Sequence, residues 1–103
     1  MANYLLVFHG GSMPESKEEG AKVMQAWTTW FGKLGGALVD AGNPASKTHE
    51  IAPDGRVSPV ASGPTGYSII KADNIDAAVK LAKGCPVLQG GASVQVVETF
   101  EAM

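Results

Sequence analysis

The stretch Asn3-Tyr4-Leu5-Leu6-Val7-Phe8-His9 decides the architecture, because it is short, built of strand formers and apolar at odd and even positions alike. A strand with one wet face alternates apolar and polar residues, whereas an unbroken apolar run marks a strand covered on both faces. Gly66-Tyr67-Ser68-Ile69-Ile70-Lys71-Ala72 shows the same feature at Ile69 and Ile70. Two central strands are therefore expected to need cover on two sides.

After His9, the run Gly10-Gly11-Ser12-Met13-Pro14 breaks the strand, and either Ser12 with Glu15 or Ser16 with Glu19 has the spacing of a capping box. A helix begins between these caps. Its apolar residues Val23, Met24, Trp27, Trp30, Phe31 and Leu34 recur at steps of three and four, opposite Lys17, Glu18, Lys22 and Lys33, and Gly35-Gly36 ends it. Residues 37–41 read as a short second strand closed by Gly42-Asn43-Pro44. Four of the six prolines then fall between Gly42 and Pro64, with Asp54-Gly55 as the turn of a hairpin joining Thr48–Ile51 to Arg56–Val57. This excursion, residues 43–64, interrupts one domain spanning residues 1–103 and does not divide it. Beyond it, 66–72 is a strand and Asp73 or Asn74 caps a second helix with Ile75, Ala78, Val79 and Ala82 on one face. Gly84 and Pro86 stop that helix, and 92–99 supply the last strand.

The order β-α-β, excursion, β-α-β predicts an α+β, ferredoxin-like split βαβ fold. Right-handed crossovers place both helices on one face of an antiparallel sheet, so the second apolar face needs cover from outside. At about 25 cal/mol per Å² of apolar surface, a strip of wet Leu, Val and Ile side chains is costly. A homodimer with sheets packed face to face meets that need, and a loop from the excursion folding across the sheet is the alternative.

Composition narrows the partners. A chain of 103 residues buries roughly 60–68% of its unfolded surface, a thin core. With 45% hydrophobic and 17% charged residues the chain is globular and slightly poor in charge, which again points to a partner surface. Eight basic and ten acidic residues give a net charge of −2 with no Lys/Arg cluster, which argues against nucleic acid or an anionic membrane. Cys85 is the only cysteine, so no intrachain disulfide forms and a thiolate-built structural zinc site is excluded. A reducing cytoplasm is the expected setting. The longest apolar run, Tyr4 to Phe8, is far shorter than the ~18 residues that span a bilayer, and no targeting segment is expected.

Several stretches together resemble the YCII-related family, in particular its branch named for a DGPF motif. They are Tyr4-Leu5-Leu6-Val7, the Met24…Trp27…Trp30-Phe31 helix ending in Gly36-Ala37-Leu38-Val39-Asp40, Gly66-Tyr67-Ser68-Ile69-Ile70, and Asp76-Ala77-Ala78…Gly84-Cys85-Pro86…Val94-Gln95-Val96. The resemblance covers nearly the whole chain, although Ser62-Gly63-Pro64-Thr65 keeps only the Gly-Pro of the naming motif. It implies a dimeric α-β barrel. In some family members a histidine on the first helix stands near an aspartate just before the proline that follows the second helix. Met24 or Gln25 and Cys85 hold those places here, so that dyad is absent and its acid–base role does not carry over. One relative is a dehydrochlorinase of a chlorinated aromatic, an association that does not transfer by resemblance alone.

The expected topology gathers His9, Ser12, Asp40, Tyr67 and Cys85 at one rim of the sheet. Imidazole changes charge near neutral pH, which makes His9 a candidate general acid or base, with Asp40 or Tyr67 orienting it directly or through water. A strand-end histidine bonded to backbone or water is the plainer alternative. Ser12, Trp27, Tyr67 and Cys85 are candidate ligand contacts, although Trp27 and Trp30 read more readily as core and interface filler and Cys85 lacks the positive field that activates a thiol. Backbone N–H groups of Gly10, Gly11 and Ser12 form a candidate anion cradle. His9, Asp40, His49 and Glu50 lack metal-ligand spacing, and no metal or other cofactor is expected. Two functions stand: a homodimeric small-molecule-binding domain with weak or unidentified acid–base activity, its pocket between sheet and helix at His9, or a non-catalytic protein-interaction module. The residues do not choose whether the protein is an enzyme.

Overall fold

The computed structural model describes residues 1–11 and 15–102. Along the chain run β1 (Ala2–Gly10), α1 (Lys17–Leu34), β2 (Leu38–Asp40), β3 (Thr48–Ile51), β4 (Val57–Val60), β5 (Gly66–Ala72), α2 (Ile75–Ala82) and β6 (Ala92–Glu98), with short 3-10 turns at Gly35–Ala37 and Pro86–Gly90. Every expected element is present. Helix α1 takes the later of its two candidate caps: Ser16 Oγ accepts from Glu19 N at 3.1 Å, and Glu19 Oε2 reaches back to Glu15 N at 3.0 Å. The earlier cap at Ser12 lies outside the described residues. For α2, Asn74 Oδ1 accepts from Ala77 N at 2.8 Å.

The main sheet has the order β2-β5-β1-β6 with every neighbouring pair antiparallel, so the two strands with continuous apolar runs are the central ones. This is the α+β, ferredoxin-like plan. Tyr4, Leu6 and Phe8 of β1 and Ser68, Ile70 and Ala72 of β5 are buried in a core shared with Trp30 and Leu34 of α1 and Ala78 and Ala82 of α2. Side chains alternate across a strand. Leu5, Val7 and His9 therefore face the other way, with Ile69 and Tyr67 beside them on β5 and Val97, Gln95 and Ser93 on β6. Leu5, Val7, His9, Tyr67 and Ile69 are half-buried by their neighbours on the sheet, while Val97 remains 42% exposed.

Two spans differ from the sequence reading. The second strand is only Leu38–Asp40, because Gly35 (φ 53°) turns the chain through Gly35–Ala37 first and the register with β5 then shifts between Leu38 and Asp40. The arm also extends further, with β4 running to Val60 opposite Thr48. Strands β3 and β4 form a separate two-stranded sheet. The molecule measures 45 × 37 × 18 Å with a radius of gyration of 15.1 Å, against about 13 Å for a compact chain of this length. One sheet, one helical layer and a projecting arm account for that flat shape.

Candidate functional site

His9 lies near the end of β1 on the face turned away from both helices, not in a cleft between sheet and helix. The antiparallel register sets Ser93 opposite it and Gln95 one pair further along the same face. His9 Nε2 and Gln95 Oε1 lie 2.8 Å apart. With Oε1 accepting, Nε2 carries the proton and Nδ1 of the neutral ring is the basic nitrogen. Tyr67 stands on the other side, opposite Val7. Its hydroxyl lies 3.5 Å from Asn43 Nδ2, at the outer limit of a hydrogen bond. His9, Gln95, Ser93, Tyr67 and Asn43 thus form a polar group at one end of a face whose centre is Leu5, Val7, Ile69 and Val97.

The other expected members of the site are elsewhere. Asp40 pairs with Ile69, which is level with Leu5. At about 3.3 Å per residue and 4.8 Å per strand, it stands roughly 16 Å from His9. Its Oδ1 accepts from Gly42 N at 2.8 Å, so the carboxylate holds the turn and does not orient the imidazole. Asn43, three residues on, is what reaches the rim, where its carbonyl accepts from Tyr67 N at 3.3 Å. Trp27 lies on the helical side, with ring centroids 5.7 Å from Phe8, 5.6 Å from Trp30 and 5.4 Å from Phe31, and packs the core. Cys85 is 2% exposed in that same core. Burial pushes its thiol up to about 11, only partly opposed by a backbone hydrogen bond at Val87. It is neither a nucleophile at neutral pH nor a neighbour of His9. Ser12, and with it the anion cradle, lies outside the described residues. Gln95 and Asn43 are not among the expected site residues; the signal for Gln95 is its place between Val94 and Val96 in a strand that alternates.

Two grooves of the protomer lie on the helical side. One, of about 390 Å³, runs between α1 and the segment after α2 and is lined by Lys22, Gln25, Thr29, Trp30 and Gln89 among others. The second lies on α2 around Val79 and Lys83. Neither reaches His9. Among the described residues no cluster of three His, Cys, Asp or Glu side chains is placed to hold a metal ion. His49 and Glu50 are consecutive on β3 and point to opposite faces. No described helix is long and apolar enough to cross a membrane.

No family model matches the chain, and neither does any curated protein. A solved structure does. The 5-chloro-2-hydroxyhydroquinone dehydrochlorinase of Burkholderia phenoliruptrix AC1100, in complex with 2,5-dihydroxybenzoquinone, aligns over 94% of this chain and 93% of its own with a TM-score of 0.53 and 15% identity. The likeness is one of fold: the chain shares the neighbour's arrangement of strands and helices over nearly its whole length.

Two buried acids give the fold a pH dependence. The Cys85 thiol titrates at about 11 in the fold against 9.0 for its ordinary value. Burial, reinforced by Glu98 whose Oε1 accepts from the Tyr4 hydroxyl at 3.1 Å, also raises the Tyr4 phenol. Each folded value lies above its unfolded one, so the unfolded chain loses these protons first as pH rises. Urea midpoints should therefore be insensitive to these two groups below pH 9 and fall steadily between about pH 9 and 11. Cys85 in the native protein should also react with a disulfide reagent at pH 8 at least tenfold more slowly than in urea.

Proposed function

We propose that the chain is a homodimeric small-molecule-binding domain of the YCII-related kind, with His9 as its proton-handling residue. The observation that carries this reading is the His9–Gln95 pair, 2.8 Å apart, at the edge of an apolar sheet face that the protomer's own helices do not cover. A second copy laid face to face shields Leu5, Val7, Ile69 and Val97, and the same contact converts an open polar rim into an enclosed site. Gln95 fixes the ring and the tautomer, leaving Nδ1 to accept or return a proton. Tyr67 and Asn43 supply a hydroxyl and an amide for an oxygenated ligand. A net charge of −2 without a basic cluster supports a small ligand rather than a phosphate backbone. The lone, protonated Cys85 suits a reducing cytoplasm. Planar hydroxylated quinones are the first class to try, because the neighbour of like fold holds 2,5-dihydroxybenzoquinone.

Sedimentation velocity should give a dimer at micromolar concentration, and calorimetric titration with 2,5-dihydroxybenzoquinone should show binding that His9→Ala weakens about tenfold or more. Val7→Asp puts a charge at the middle of the covered face and should yield a folded monomer that no longer binds. A monomeric wild type at those concentrations, or binding unchanged in His9→Ala, defeats the proposal. The flatness of the His9 face in the single protomer favours one alternative, a non-catalytic protein-interaction module. A dimer that binds none of a broad set of small molecules would support that instead.

A further inference from the structure

The β3–β4 arm has an apolar face with nothing of the protomer packed on it. Pairing sets Ile51 opposite Val57 and His49 opposite Pro59, and alternation puts these four side chains on one face of the hairpin and Thr48, Glu50, Ser58 and Val60 on the other. Thr48 and Val60, at the root, are half-buried, whereas all four residues of the first face are exposed, Ile51 by 70% and Val57 by 61%. Among the described residues the two strands make their substantial contacts with each other. A lone two-stranded hairpin is marginal in water, so this one needs a surface to rest on. Pro59 carries no N–H and interrupts strand addition along β4, which leaves the side-chain face as the part to be buried.

We infer that this arm is a clasp: the Ile51–Val57–Pro59 face of each copy packs against the other copy in the dimer. The inference rests on the face-to-face dimer proposed above and adds to it the element that makes the dimer stable. Four strands at about 4.8 Å and some seven residues at about 3.3 Å give the open sheet face a flat footprint of only about 400 Å², small beside the roughly 800 Å² of accessible surface that each partner buries in a standard stable interface. The arm supplies further apolar surface in the right place. Its root is tied to the rim of that face, through Ala45 N to Thr65 O at 3.1 Å, Thr65 N to Phe8 O at 2.7 Å and Thr65 Oγ1 to Gly10 O at 3.1 Å. The clasp therefore closes next to His9, Tyr67 and Asn43, and the partner copy forms one wall of the site.

The test compares the dimer dissociation constants of wild type, Ile51→Ser/Val57→Ser and the opposite-face control Glu50→Gln by sedimentation velocity across a concentration series. Circular dichroism confirms that each protomer is folded. The double variant should dissociate about a hundredfold more readily, from the loss of two buried aliphatic side chains, and the control should match wild type. In a dimer of isotope-labelled and unlabelled copies, the Ile51 and Val57 methyl groups should show contacts to the unlabelled partner. A wild-type dimer that the double variant leaves unchanged overturns the clasp alone and assigns the arm face to the protomer's own body or to a different protein. A wild type that stays monomeric overturns the clasp together with the dimer beneath it.

Discussion

Gly42→Ala should destabilise the domain by about 2–5 kcal/mol, the sum of a left-handed backbone penalty of about 1–2 kcal/mol and an overpacking cost of about 1–3 kcal/mol. Gly42 has φ +76°, and a Cβ built there runs into the carbonyl group of Tyr67. That carbonyl belongs to a central strand and cannot yield as a flexible side chain would. The turn at Gly42 is also held from both sides, by Asp40 Oδ1 on its N–H and by Ser68 Oγ donating to Ala41 O at 2.7 Å. Moving it drags Asn43 away from Tyr67 and disturbs the rim. At about 4–8 °C per kcal/mol for a domain of this size, the melting temperature should fall by roughly 10 °C or more. Gly32→Ala is the matched control. It lies inside α1 with open space around the missing Cβ, so the same change should raise stability by about 0.5–1 kcal/mol. A Gly42→Ala protein as stable as wild type would mean that the close approach of this turn to β5 is wrong.

Trp30→Ala should cost about 3–5 kcal/mol, the range for emptying a large buried aromatic site. Trp30 is 4% exposed, stacks edge-on with Trp27 and lies against Phe31 at a centroid distance of 5.6 Å. Its indole Nε1 donates to Leu81 O at 3.2 Å, which joins α1 to α2. The fit extends to Gly84, where an added Cβ would stand 3.2 Å from Trp30 Cδ1. Trp30→Phe removes the donor and the five-membered ring but keeps a six-membered ring in the core. The Leu81 carbonyl also accepts from Gly84 N at 3.2 Å, so losing the indole donor alone should cost only about 1 kcal/mol. Urea unfolding of both variants checks the pair. Equal losses in Ala and Phe would place the energy in the pyrrole ring and its donor and not in the six-membered ring that Phe keeps.

Much of this fold was legible from local signals, because local signals have local causes. The Ser16–Glu19 cap, the stripe from Val23 to Leu34, the Asp54-Gly55 turn and the doubly apolar strand at Tyr4–Phe8 each depend on neighbours within a few residues. The site was less legible. That His9 and Tyr67 share one end of the sheet followed from strand order alone. The partner of His9, however, is 86 residues away in sequence, and only the register between β1 and β6 brings Gln95 beneath the ring. A slip of one residue would have turned Gln95 to the helical side.

Asp40 shows the same limit from the other direction. Its residue type and strand-end position suit a partner for histidine, yet a bulge and a three-residue strand leave it level with Leu5, where its carboxylate closes a turn. Cys85, offered both as a ligand contact and as a bystander, lies in the core, a burial that no neighbouring residue announces. Composition and periodicity were thus sufficient for the elements, their order and the presence of a second greasy sheet face. Which side chains stand together on that face was decided by long-range pairing. The physical reason is that the period of a strand specifies which residues share a face, whereas the register that aligns two strands is set by the packing of the whole core.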